Sequence, residues 1–190
     1  MWAIMRRASW SRFSSVLLAA VLAAGADTPA EKLRARAWDT LRSKVHDPDH
    51  LRHALATEAI MRVLANPKLD DANEWGLAGL LHDIDLDAVE GDLSRHGVLA
   101  EKSLREIGVS DAVVHAIASH DDHTGIARTS RLDHGLYVAD QMYWRLRSGK
   151  EKDTAPEELA KEASQIGFSM SKVTELSVSA MRKISANQFF

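Results

Sequence analysis

Trp75-Gly76-Leu77-Ala78-Gly79-Leu80-Leu81-His82-Asp83-Ile84-Asp85 is the stretch on which the reading of the chain turns. An uncharged run of apolar and small residues leads directly into an imidazole and a carboxylate side by side. The run predicts a helix over 71–81 that delivers His82 and Asp83 at its C-terminal end. Two polar side chains are costly to bury there unless something neutralises and binds them, and a metal ion does both. Other residues of ligand type lie around the pair: His53 upstream, then His96, His120 and Asp140 downstream. Each falls at or near a predicted helix end, or on an otherwise apolar helix face, which outlines a metal site inside a helical bundle.

Working outward, the pattern is helix after helix. Leu33, Ala37, Leu41 and Val45 recur every four residues until Asp47-Pro48 ends the segment. A second helix is predicted over 49–65, before Asn66-Pro67. A fourth is predicted over 94–107 with Gly108 as its stop, and a fifth from the Ser110 cap to Ser119 or His120. Residues 121–130 are predicted as a loop, 131–147 as a helix, 148–154 as a linker, and 156–166 and 171–186 as two closing helices. No alternating strand pattern and no internal repeat occurs, so the expected fold is all-α, a bundle of about seven to eight helices.

Composition narrows the function classes. The chain has 190 residues, 45% of them hydrophobic, enough for one domain with a sizeable core. A formal charge of −3 without a long basic run gives no support to a nucleic-acid surface. The absence of cysteine excludes disulfides and thiolate ligands, so a bound metal is held by nitrogen and oxygen. Residues 1–26 carry Arg6, Arg7 and Arg12, no acidic residue, and a short apolar run, Val16 to Ala24, before Ala24-Gly25-Ala26. This is the form of a signal peptide cleaved near Ala26, or of another targeting segment, with the domain proper over 27–190. The apolar run is short for a membrane span. Export to the periplasm follows from the first form and a cytoplasmic location from the alternatives, an amphipathic extension or a mis-chosen start.

Two of the candidates can be weighed from their surroundings. Asp140 shares a helix face with Leu132, Leu136 and Tyr143, where an unpaired carboxylate is strongly disfavoured; a cation removes the difficulty, and a buried arginine is the alternative. His53 shares a face with Ala56, Ile60 and Val63, where a satisfied core histidine is the alternative to a ligand.

The order His53, His82-Asp83, Asp140 resembles the HD-domain superfamily of metal-dependent phosphohydrolases. The similarity extends through His53-Ala54-Leu55-Ala56, the stretch 75–85, Arg95-His96-Gly97, Ala116-Ile117-Ala118-Ser119-His120 and Leu136-Tyr137-Val138-Ala139-Asp140, over residues 45–185. The resemblance implies that His53, His82, Asp83 and Asp140 hold a first metal, with Asp83 able to bridge to a second held by His96 and His120. The alternative for those two histidines is direct contact with a substrate phosphate. Imidazole and carboxylate together suit a divalent transition metal, Fe or Mn first, with Co, Ni or Zn possible, over Mg or Ca.

The expected activity is hydrolysis of a phosphate ester or nucleotide, a small phosphorylated substrate, by a metal-activated hydroxide. Asp83 is the expected bridging group, and Asp85 or Asp87 the candidates to orient a ligand or protonate the leaving group. Arg128 and Arg131, beside the 121–130 loop, are candidates to clamp an anion in a guanidinium fork, and His123 to reach over the site. His46 and His50 are expected to be exposed, and His115 and His134 to lie on the surface. The same resemblance leaves two alternatives: a di-iron oxygenase, or a non-catalytic metal- or ligand-sensing domain. The Gly-Tyr-Pro extension of cyclic-dinucleotide phosphodiesterases is missing, and nothing in the chain reads a base or a sugar.

Overall fold

The computed structural model of the protein describes residues 27–186; the signal-like stretch 1–26 lies outside them. The chain divides at Lys32, and the packing below is that of residues 33 onward. Among the described residues there are eight α-helices and no strand: α1 Pro29–Lys44, α2 Pro48–Leu64, α3 Ala72–Leu81, α4 Glu101–Ile107, α5 Asp111–Ser119, α6 Arg131–Arg147, α7 Glu157–Gln165 and α8 Met170–Ala186. None is long and apolar enough to cross a membrane.

The helix starts are written in the local sequence. Asp47 accepts from the Asp49 amide at 2.7 Å with Pro48 in the first turn of α2, and Asp71 accepts from the Asn73 amide at 2.8 Å at the start of α3. Ser110 caps α5, and Ser130 with Asp133 forms a reciprocal capping box at α6. These caps satisfy amides that would otherwise lack partners at each first turn.

Residues 94–107 depart from the expected single helix. A 3-10 turn, Leu93–Arg95, is followed by His96 in an extended conformation (ψ 135°) and Gly97 at φ +75°, and the α-helix resumes only at Glu101. The reason is a close approach: a Cβ on Gly97 would stand 2.2 Å from the Ile117 carbonyl oxygen of α5. The chain turns there in a conformation open to glycine, and the break frees His96 from a helix surface.

At the centre lies α3, whose residues from Trp75 to Leu81 are all buried. It packs closely on α2, because Gly79 lets its backbone approach Thr57 and Glu58; a Cβ at 79 would meet the Thr57 carbonyl at 2.8 Å. Leu80, Leu81, Ile60, Leu64, Leu136 and Met142 are fully removed from water around it, each contributing about 1.5–3 kcal/mol. One face of α1 joins through Ala37 and Leu41, with Val45 just beyond its end. A buried carboxylate ties the layers: Glu58 of α2 accepts two hydrogen bonds from Arg34 at 2.6 and 2.7 Å, and Arg62 donates to it at 2.9 and 3.1 Å. The result places the middle of α2, the ends of α3 and α5, the turn at His96 and the middle of α6 around one interior point.

Candidate metal centre

Four imidazoles and two carboxylates meet there. His53 comes from α2, His82 is the C-cap of α3, His120 is the C-cap of α5, and Asp140 comes from α6. The two caps are oriented by the same local device. The last carbonyls of a helix lack amide partners, and a histidine at the cap can turn back to one of them. The His82 Nδ1–H donates to the Gly79 carbonyl at 2.8 Å, and the His120 Nδ1–H donates to the Ile117 carbonyl at 2.7 Å. A carbonyl only accepts, so Nδ1 carries the proton in both rings and Nε2 turns to the interior. His96 is oriented by a carboxylate instead: its Nδ1 donates to Asp85 Oδ1 at 2.9 Å.

Asp83 stands between two groups. Its Oδ2 lies 3.3 Å from His53 Nε2 and 3.2 Å from His82 Nε2. Its Oδ1 lies 3.0 Å from His96 Nε2 and 3.8 Å from His120 Nε2. Asp140 Oδ1 is 3.0 Å from His53 Nε2 and 3.9 Å from His82 Nε2, while its Oδ2 accepts from the Gln141 amide at 3.2 Å. In His53-His82-Asp83 the ligand atoms lie within 4.8 Å of one another, and the same is true of Asp83-His96-His120. Each set could hold a metal ion.

The donor set fits a cation on its own chemistry. His53 Nε2 can carry one proton, yet it faces His82 Nε2 at 2.9 Å, Asp140 Oδ1 at 3.0 Å and Asp83 Oδ2 at 3.3 Å. Lone pairs outnumber protons at the centre, in surroundings where unmatched polar atoms are strongly disfavoured. Without a metal, protons must serve in its place. Burial works against a charged His96, but its hydrogen bonds to Asp83 and Asp85 prevail and push it up to about 10. Burial likewise opposes charge on His82, and the Asp83 carboxylate beside it raises it on balance. His120 goes the other way, lowered by burial and then by the neighbouring His82. Asp83 is held well below the usual carboxylate range, because the adjacent imidazoles outweigh its burial.

Other candidates are placed elsewhere. Asp85 is buried, with Oδ1 accepting from His96 and from the Gly97 amide at 3.1 Å, and Oδ2 from the Ala100 amide at 2.9 Å. It holds His96 and presents no free proton donor to the centre. Asp87 is exposed and accepts from the His46 amide at 3.3 Å. Arg131 forms a two-pronged pair with Asp70 at 3.2 and 3.0 Å. Arg128 is largely buried, paired with Asp122 at 2.7 Å and near Glu162 at 3.4 Å, with its guanidinium 4.1 Å over the Tyr137 ring. Those contacts tie the 121–130 loop to α7. His123 remains in solvent against Asp121.

Among the remaining histidines, His46 is exposed and His115 is partly exposed beside Asp133 at 3.1 Å. His50 is half-buried, and His134 sits largely buried against Glu162 of α7, so neither lies on the open surface. Local sequence reading names Gly97 only as part of a motif and Tyr143 only as part of an apolar face, and it does not reach Gln141 or Trp144; the Tyr143 and Trp144 rings lie 4.4 and 5.1 Å from that of His53. A glycine directly after His96 was the one available signal; the others depend on which helix lies opposite.

Comparison with known families gives a match to the model described as HD domain over residues 51–163, more than half of the chain. Neither a curated protein nor a solved structure matches it.

Proposed function

The chain belongs to the HD-domain family, and on that premise we propose that it is a metal-dependent phosphohydrolase acting on a phosphate ester or nucleotide. The observation that carries the reading is Asp83, which turns one oxygen to His53 and His82 and the other to His96 and His120. In this reading His53, His82, Asp83 and Asp140 hold one divalent transition metal, and Asp83, His96 and His120 hold a second. Such ions, once bound, polarise a phosphoryl oxygen and lower the pKa of coordinated water toward neutrality. Nitrogen-rich ligation favours Fe or Mn, or Co, Ni or Zn, over Mg and Ca.

The chain's own groups supply orientation and exclusion of water. Gly79, Ile117 and Asp85 fix which nitrogen of His82, His120 and His96 faces inward, so the site is largely organised before anything binds. The imidazoles are almost wholly buried, which keeps the surroundings of low polarity and strengthens each electrostatic contact within them.

The test is metal content per chain, on protein beginning at Asp27 and purified without chelator, beside His120→Ala, followed by a phosphoester screen with phosphate release as readout. We expect close to two metals, falling toward one in the variant, and hydrolysis by the loaded wild type. Metal bound without hydrolysis of any phosphate ester would overturn the reading in favour of a sensing role. Dioxygen consumption by an iron-loaded sample would instead favour an oxygenase.

A further inference from the structure

Asp140 is the most exposed group of the cluster. Its side chain keeps 15% of its surface exposed, against 10% for Asp83 and 4% or less for the imidazoles. The face of α6 that carries Asp140 is therefore the side on which the cluster is most open to water. One helical turn further along that face, about 5.4 Å, stands Trp144.

Trp144 is 50% exposed, an unusual state for the largest side chain in a bundle with this much buried surface. Its ring is nevertheless held. The indole lies 5.1 Å from the His53 ring at 37° and 5.1 Å from Tyr143 at 77°. Tyr143 is itself 97% buried against His53 (3% exposed) and accepts a hydrogen bond from Arg147 at 3.1 Å. The other aromatic near Asp140 is Tyr137, one turn earlier, and the Arg128 guanidinium already covers its ring. Among the described residues, Trp144 alone offers a fixed aromatic surface to water beside the cluster.

We propose that Trp144 is the platform on which a planar aromatic group of the substrate stacks while its phosphate lies at the Asp83-Asp140 cluster. The substrate class is then a nucleoside monophosphate. A ribose separates phosphate from base by a distance on the order of one helical turn, the spacing from Asp140 to Trp144. Stacking recognises the π-face shared by all bases, so it favours nucleotides over aliphatic phosphates with little choice among bases. The position of the phosphate rests on the phosphohydrolase reading; the stacking surface does not.

The test therefore has two readouts. The first is tryptophan fluorescence of the metal-loaded protein titrated with adenosine 5′-phosphorothioate, in wild type and Trp144→Phe. The second is KM for adenosine monophosphate and for glycerol phosphate in wild type, Trp144→Phe and Trp144→Ala. We expect quenching in wild type that is lost in Trp144→Phe, which removes the reporter and keeps a stacking ring. In Trp144→Ala, KM for the nucleotide should rise about tenfold, roughly 1.4 kcal/mol, with KM for glycerol phosphate within about twofold of wild type. Trp144→Phe should keep a KM close to wild type. Equal changes for both substrates, or quenching that survives in Trp144→Phe, would overturn the proposal and leave the hydrolase reading intact. If no ester is hydrolysed, the hydrolase reading fails and the fluorescence titration alone decides the stacking.

Discussion

His96 is shared by Asp83 and Asp85: its Nε2 stands 3.0 Å from Asp83 Oδ1 and its Nδ1 donates to Asp85 Oδ1 at 2.9 Å. Two carboxylates two positions apart in the chain thus grip both edges of one ring. Asp85 is in turn held by the Gly97 and Ala100 amides, so the turn that presents His96 also orients it.

Replacing Asp85 with Asn disturbs that arrangement without changing its shape. Both carboxylate oxygens accept hydrogen bonds, and an amide brings an N–H against a donor at one of them. Loss of a group that orients a ligand typically weakens metal binding about 10–100-fold. Competition titration of Asp85→Asn should show that loss in one of two binding steps, with the other kept. An unchanged pair of affinities would refute the role given to Asp85.

Gly97→Ala tests the close approach on α5. The new Cβ would overlap the Ile117 carbonyl oxygen, at a positive φ that alone costs about 1–2 kcal/mol. Adding the overlap, we expect destabilisation of about 2–4 kcal/mol by denaturant unfolding, accompanied by lower metal content as His96 and His120 shift. A loss below about 0.5 kcal/mol would show that the contact relaxes easily.

Metal-free protein should show a defined pH dependence. His96 is raised to about 10 when folded, above its ordinary value of 6.5. In this range the folded state binds more protons than the unfolded one, so the contribution is fully present below about 6.5 and is lost as pH rises through about 10. Asp83 acts at the other end: its lowered folded value gives stability that is present above its ordinary 3.8 and is lost as pH falls. The His96 and Asp83 contributions are therefore both present between about pH 4 and 6.5, and the urea midpoint of chelated protein should fall as pH rises through about 10 and as it drops below about 4.

Metal binding has the opposite slope. If His96 is a ligand, a metal has to displace its proton, so apparent affinity should rise about tenfold per pH unit between pH 7 and 9, with proton release detectable in weakly buffered calorimetry. Absence of proton release would mean that His96 stays outside the metal's ligands.

Chelator should also lower thermal stability. Metal that binds only the folded state at 100 times its dissociation constant stabilises by about 2.7 kcal/mol, about 5–10 °C for a domain of this size. His120→Ala should show a smaller difference between loaded and chelated protein.

Much of the bundle was readable locally. The bounds of α6, Arg131–Arg147, match the expectation because Ser130 and Asp133 spell a capping box and Ser148-Gly149 follow its basic last turn. The sequence predicts one helix over 94–107 from its stop at Gly108, and only the approach of α5 shows why the chain must turn at Gly97. His134 was misplaced for a related reason: its partner Glu162 lies 28 residues away on α7. Arg131 took its partner, Asp70, from 61 residues away.

The sequence by itself determined the all-α class, most helix ends, and an ordered set of imidazoles and carboxylates, since caps, periodicity and turn residues act over a few neighbouring positions. Only the tertiary structure decided that Asp83 divides its oxygens between two sets of histidines, that Asp85 holds His96, and that the exposed Trp144 ring lies against that of His53. His53 and His82 are 29 residues apart, and His96 and Asp83 are 13 apart. Side chains at such separations meet according to how closely their helices pack, as Gly79 and Gly97 permit here, and no local pattern encodes that distance.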